Sequence, residues 1–314
     1  MTDTLPVTAT GLSVVVCCYT AARRAQVLRV VDSALDQIVD TQDEVIVVVD
    51  HNADLFDDLS TALPDSIILV PNTCERGLSG ARNTGVRCSG KEIVVFIDDD
   101  AVLTAGALDG ARQAFVDPAI VAIGGAVDAD WQAGSAPDWF PTEFGWVVGC
   151  DYRGLPACGD QIRNPIGAAM AVRRMALHHI NGFSTKLGRV GDLPTGCEET
   201  LMGVQLRAEF PAQRIIRHTA FRVSHHVPAE RATLRYFTRR CYQEGRSKAA
   251  LSRISGRQAA LSSERNYTTR ILTSGAWRAR GNPRRLLALI AGFLYTATGF
   301  ATGLLVTARQ GHHR

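Results

Sequence analysis

Eight consecutive residues, Ile93-Val94-Val95-Phe96-Ile97-Asp98-Asp99-Asp100, constrain the fold more than any other stretch of this chain. Five apolar residues, β-branched or aromatic, have the length and composition of a strand buried on both faces. They run directly into three carboxylates. Adjacent acids repel one another, so a strand end that carries three of them calls for positive charge, and a divalent cation supplies it most directly. On extended backbone Asp98 and Asp100 face one way and Asp99 the other. One of the pair then suits a metal and the other the ligand of that metal. A solvated turn, with an Asp capping a helix that starts near Thr104, fits the same residues.

The segments before this stretch alternate between strand and helix. Leu12 to Cys18 reads as a buried strand closed by Tyr19 and Thr20. Val27, Val30, Val31, Ala34, Leu35 and Ile38 recur at helical spacing, with Arg23, Arg24, Arg29, Asp32 and Asp36 on the opposite face. Strands follow at Val45 to Val49, ending at Asp50, and at Ile67 to Val70. A helix over Leu78 to Cys88 leads to the acid-tipped strand. Alternation of this kind predicts a mostly parallel sheet flanked by helices, with ligands gathered at the carboxyl ends of the strands, where Tyr19, Asp50 and Asp98 lie. A further helix near Thr104 to Phe115 and a strand over Ile120 to Gly124 complete this half.

Arg76-Gly77-Leu78-Ser79-Gly80-Ala81-Arg82 brings two arginines and small residues to a helix start. This suits either approach to a diphosphate or close packing on the sheet, and the two are compatible. Gly85 to Glu92 mimics the start of a P-loop, but no Ser or Thr follows the lysine and a strand stands where a helix is required. The first strand lacks a G-x-G-x-x-G turn, which argues against a nicotinamide or flavin site.

The second half has a different charge. Residues 1–160 carry 24 acids and 9 bases, whereas 161–314 carry 7 acids and 25 bases, so a net charge of +3 conceals an acidic half and a basic half. The basic half faces anions, either phosphates or a membrane surface. Trp131, Trp139, Phe140, Phe144 and Trp146 fit a satellite core or a wall for a sugar ring. Ile166 to Val172 is a strand of small residues. Glu198 and Glu199 open a helix, where acids are favoured by the dipole and where one of them suits a general base. His225 lies near a predicted strand end and gains weight as a ligand if a metal sits nearby. The eight cysteines contain no C-x-x-C and read as reduced thiols.

Arg231 to Lys248 is arginine-rich with interleaved Tyr236, Phe237 and Tyr242, which fits phospholipid headgroups, nucleic acid or a solvated face. Residues 286–308 lack any charge over 23 positions and follow Arg278, Arg280, Arg284 and Arg285. As a helix they reach roughly 34 Å, enough to cross a bilayer or to lie on one. Gly299-x-x-x-Gly303 permits close helix approach. Met1 to Thr10 has neither a basic nor an apolar signal region, and arginines precede the apolar segment. These features predict a body at the cell membrane on its cytoplasmic side.

Together the order and spacing of these motifs resemble the family 2 glycosyltransferases of GT-A fold, over roughly residues 11–250. The segment Phe140 to Phe144 with Trp146, Tyr152-Arg153-Gly154, Arg163-Asn164 and Leu187-Gly188-Arg189 is similar to the archaeal glucosyl-dolichyl-phosphate glucuronosyltransferases within that family. The resemblance implies a catalytic domain over 1–250, with a nucleotide half at about 11–125 and an acceptor half at about 126–250. A basic segment (251–285) and an apolar helix (286–308) follow. It implies a UDP-sugar donor, a polyprenyl- or dolichyl-phosphate-linked acceptor, Mn²⁺ or Mg²⁺, and no nucleic acid. Asp50, Asp98 and Asp99, with Tyr19 or Thr20 and the arginines Arg76 and Arg82, then contact the nucleotide. Asp100 and His225 hold the metal, and Glu199 or Glu198 is the base of an inverting transfer. Arg153, Arg163 and Arg189 are candidate partners for a glucuronate carboxylate. A nucleotidyltransferase and a catalytically inactive, membrane-tethered sugar or lipid binder are the alternatives.

Overall fold

The computed structural model describes residues 10–39, 41–185, 196–254 and 273–310. Leu187, Gly188, Arg189 and all of 255–272 in the basic segment lie outside them.

Buried, β-branched runs form the centre of the sheet. β1 (Leu12–Cys18) pairs in parallel with β2 (Glu44–Val49) on one side and β4 (Ile93–Asp98) on the other, and β3 (Ile68–Pro71) extends the sheet beyond β2. Cys17 stands opposite Asp98 and Cys18 opposite Val49, so Tyr19, Asp50 and the acid cluster leave the sheet along one edge. Eight strands join in the order β3-β2-β1-β4-β7-β6-β8-β5.

Beyond β4 the sheet is mixed, less parallel than alternation alone suggests. β7 (Ala169–Arg173) runs antiparallel to both β4 and β6 (Ile120–Trp131), β6 is parallel to β8 (Arg214–Val227), and β5 (Ala101–Leu103) is antiparallel to β8. The residues after Asp100 therefore form a short strand. The next helix, α4 (Ala107–Ala114), begins three residues later than expected, behind Gly106 at φ +76°. The N-cap of α4 is Gly106 and not an aspartate, and Asp99 and Asp100 are buried, so the capped-turn alternative for the acids is not what forms. β6 also runs seven residues past Gly124, and Trp131 closes it.

Strand parity sorts the two faces of the core. Ile93, Val95 and Ile97 pack with α1 (Arg24–Leu35) and α2 (Ala53–Ala62). Val94 and Phe96 pack with α3 (Leu78–Cys88), α5 (Arg174–His179) and α6 (Glu198–Glu209). Small residues seat α3 tightly. A Cβ on Gly85 would come within 2.4 Å of Val15 Cγ1, so close packing on the sheet is realised there.

α7 (Leu234–Ile254) and α9 (Pro283–Gln310) run side by side in the same direction, with α8 (Thr273–Arg278) before α9. Gly245 faces Thr296, Gly299 faces Tyr242, and Gly303 faces Ala249, each too close to admit a side chain without displacement. Arg253 Nη2 donates to Gly303 O and Leu304 O at 2.9 Å. The Gly299 and Gly303 pair therefore packs against the chain's own α7, within a contact that runs from Tyr242 to Arg253, about 17 Å along that helix. Trp139, Phe140 and Phe144 stack edge-on or tilted against Phe237, and this group is continuous with the main core on the α1 face, not a separate satellite.

Candidate active site

The parity that builds the core also aims the acids. Asp98 continues the face covered by α3, where Arg82 Nη2 lies 3.4 Å from its Oδ1. Asp99 turns towards the α1 side, where Arg23 Nη1 lies 2.5 Å from its Oδ1 and 3.1 Å from Asp100 Oδ2. Arg23 reads from sequence as part of a solvated helix face. It stands instead in the turn before α1 and points at the acids, because the short strand exit at Tyr19 and Thr20 brings that turn over the sheet edge.

β8 supplies the fourth partner. His225 sits opposite Ala101 in the β5–β8 ladder, two residues before the end of β8. Its Nε2 lies 3.1 Å from Asp100 Oδ1 and its Nδ1 3.5 Å from Cys150 Sγ. One ligand atom each from Asp98, Asp100 and His225 falls within 4.8 Å of the others. Two hard carboxylates and an imidazole form a donor set that suits a divalent ion such as Mn²⁺ or Mg²⁺. Burial opposes ionisation of Asp100, but His225, Arg23 and Arg231 outweigh it and hold the carboxyl well below the usual range. Burial dominates at Asp99 and raises its carboxyl to about 6.

Arg82 is 2% exposed and ties this cluster to α6. Its Nη1 lies 2.9 Å from Glu199 Oε1 and 3.7 Å from Glu198 Oε1. The Glu199 side chain is 17% exposed and that of Glu198 4%, so Glu199 presents more of itself to the space in front of the acids. That space is a cavity of about 880 Å³ lined by Tyr19, Arg23, Asp50, Arg82, all three aspartates, both glutamates and His225. Phe144 and Trp146 form part of its wall, so the aromatic stretch serves both packing and the site.

Two expected residues stay outside. Arg76 is exposed and does not line the cavity, and the Thr20 hydroxyl accepts a hydrogen bond from Ala22 N as the cap of a turn. Asp50 lines the cavity but is committed to its own loop, accepting from Asn72 Nδ2 at 2.6 Å and from Gly77 N at 2.9 Å. Of the carboxylate partners suggested by sequence, Arg163 lines the cavity, whereas Arg153 is 54% exposed and stands 3.9 Å from Glu143. Arg231, Arg240, Glu244 and Lys248 line the cavity and were legible only as members of an arginine-rich run.

The family model for glycosyl transferase family 2 matches residues 13–180, more than half of the chain. The chain is a family 2 glycosyltransferase. This glycosyltransferase is 31% identical over 243 residues to the glucosyl-dolichyl phosphate glucuronosyltransferase of Haloferax volcanii, across 76% of this chain and 77% of that protein. Among solved structures, mannosyltransferase PcManGT from Pyrobaculum calidifontis, in complex with GDP-Man and Mn²⁺, superposes with a TM-score of 0.60 at 18% identity. That match covers 93% of this chain and 88% of the other. GalNAc-T7 with UDP, GalNAc and Mn²⁺ gives a TM-score of 0.55 at 12% identity, over 80% of this chain and 54% of that one. The glycosyltransferase thus has the GT-A fold, with its acid cluster at the carboxyl edge of the parallel strands.

Proposed function

We propose that the enzyme inverts the anomeric centre of a UDP-linked sugar as it transfers that sugar to a glycosylated polyprenyl phosphate of the dolichyl class. Likeness to the haloarchaeal relative supports glucuronate as the sugar. The observation that carries the reading is Arg82, whose one guanidinium touches both Asp98 of the acid cluster and Glu199. Asp98, Asp100 and His225 would hold Mn²⁺ or Mg²⁺. The ion, when bound, supplies a Lewis acid that offsets charge on the departing diphosphate. Arg23, Arg231 and Arg82 add fixed positive charge at the same end of the cavity. Tyr19 and Asp50 border the nucleotide side, with Asp50 holding the 72–77 loop in shape. Glu199 accepts the proton of the acceptor hydroxyl, which attacks the anomeric carbon from the side opposite the diphosphate. Phe144 and Trp146 contribute apolar wall to the same cavity.

Residues Pro283–Leu305 are long and apolar enough to cross a membrane, and 22% of their most apolar 18-residue stretch is buried against the body. Leu287, Ile290, Leu294 and Leu305 form an exposed apolar stripe on α9, while Arg235, Arg239, Arg246 and Arg253 form an exposed basic stripe on α7. A crossing α9 would carry that arginine stripe into hydrocarbon at roughly 2.5–3.5 kcal/mol for each residue. The pair is better suited to lying in the plane of an anionic cytoplasmic leaflet, leucines in the acyl layer and arginines at the headgroups. Cysteines placed at both ends of α9 should react with an impermeant thiol reagent from the cytoplasmic side only. Labelling of the two ends from opposite sides would show that it crosses.

A panel of radiolabelled UDP-sugars, with and without EDTA, on membranes containing the enzyme tests the chemistry. Metal-dependent transfer from UDP-glucuronate to a lipid fraction is expected. Pyrophosphate release in place of sugar transfer would identify a nucleotidyltransferase, and no turnover with any donor would leave a binding protein.

A further inference from the structure

The cavity has a second charged wall, away from the aspartates. α7 contributes Arg240, Glu244 and Lys248 at spacings of four, which puts them on one helix face, and the segment before β7 contributes Arg163. Arg240 Nη1 lies 2.8 Å from Glu244 Oε2 and Lys248 Nζ lies 3.6 Å from Glu244 Oε1. Two cations, Arg240 and Lys248, therefore share one carboxylate, and Arg163 lines the same cavity. Burial opposes the Glu244 charge, yet Arg240, Lys248 and Arg163 together hold its carboxyl at about 2. Arg207 donates to Arg163 O at 2.7 Å, so the backbone of Arg163 is held to α6. A Cβ on Gly196 would stand 3.4 Å from Arg240 Nη2 and 4.0 Å from Glu198 Oε2, so the basic wall adjoins the glutamate pair.

A net positive wall inside a cavity favours an anion bound against it. The surface next to this wall is hydrocarbon. Phe293, Ala297 and Phe300 of α9 line the same cavity at positions i, i+4 and i+7, and Phe293 is 43% exposed, so the apolar lining continues to the outer stripe of α9. An anion joined to an alkyl chain fits both surfaces at once, whereas a sugar carboxylate would leave the aromatic lining without a partner. We propose that Arg163, Arg240 and Lys248 form the subsite for the phosphate of the lipid-linked acceptor, with Phe293 and Phe300 taking the first isoprene units. The proposal rests on the acceptor class given above and assigns it a place in the cavity.

Trp146 reports on this wall, since its ring centroid is 5.8 Å from Arg240 Cζ. The test titrates the full-length protein in detergent with decaprenyl phosphate and with decaprenol, following tryptophan emission. A Trp146→Phe variant identifies the reporter, and Mn²⁺-UDP affinity is measured separately by calorimetry. The wild type should bind the phosphate at least about tenfold more tightly than the alcohol. Lys248→Gln and Arg163→Gln should each lower that preference several-fold, Lys248→Arg should restore most of it, and Mn²⁺-UDP affinity should stay unchanged in all three. Equal weakening of phosphate and alcohol, or an unchanged preference, would overturn the proposal. So would variants that weaken UDP-glucuronate selectively over UDP-glucose, which would give the wall to the donor carboxylate. Failure of the wild type to bind Mn²⁺-UDP would count against the donor reading and leave the lipid preference measurable.

Discussion

Arg82 Nη1 lies 2.9 Å from Glu199 Oε1 across 117 residues of chain, and no side chain fits between this pair and Gly167. A Cβ on Gly167 would come within 2.2 Å of Glu199 Oε1 and 2.7 Å of Arg82 Nη2. Gly167→Ala should therefore displace the glutamate by a fraction of an ångström to an ångström. Turnover is expected to fall on the order of 10²-fold, with the melting temperature shifted only slightly. Wild-type turnover in a folded Gly167→Ala protein would show that this contact does not position the base.

Exposure separates the two glutamates. Glu199→Gln keeps the shape but removes the proton acceptor, so kcat should drop by about 10²–10⁴-fold while Mn²⁺-UDP affinity is retained. Glu198 is more deeply buried behind Arg82, and Glu198→Gln should cost mainly stability. The reverse pattern, with Glu198 controlling kcat, would assign the base role to Glu198.

His225 is oriented through its second nitrogen. Asp100→Asn should abolish metal-dependent binding of UDP, measured by calorimetry with and without Mn²⁺. Cys150→Ala leaves the proposed ligands intact but frees the imidazole, and should weaken Mn²⁺ binding by roughly tenfold. An unaltered metal titration in Asp100→Asn would place the ion elsewhere.

Glu244 links stability to acid. Its carboxyl is held at about 2 against an ordinary value of 4.5, so the stabilisation it contributes is complete above about pH 4.5 and is lost as pH falls towards 2. The full increment is up to about 3 kcal/mol. Asp43, lowered by Arg112 and two backbone N–H groups against its burial, acts in the same direction. Urea unfolding from pH 6 to pH 2.5 should show a shallower loss of stability in Glu244→Gln than in wild type. Parallel curves would mean that Glu244 contributes nothing to the acid limb.

Local pattern alone made much of this protein legible. The unbroken apolar run from Ile93 to Ile97 and the spacing of Val27 to Leu35 depend on near neighbours in the chain, so β1 to β4, α1 and α3 can be read directly, as can the acid cluster at the sheet edge. The direction of β7, the short strand β5 between the acids and the helix that follows, and the seating of α9 on α7 depend on contacts between residues tens to hundreds of positions apart. Arg23 and Arg76 show the same division: both are arginines near strand exits, yet only Arg23 meets the aspartates, because the turn it occupies folds back over β4. Sequence determined which groups were available for the chemistry. Tertiary packing decided which of them met, since the position of a side chain relative to a distant strand is set by how whole helices close on the sheet and by no property of its immediate neighbours.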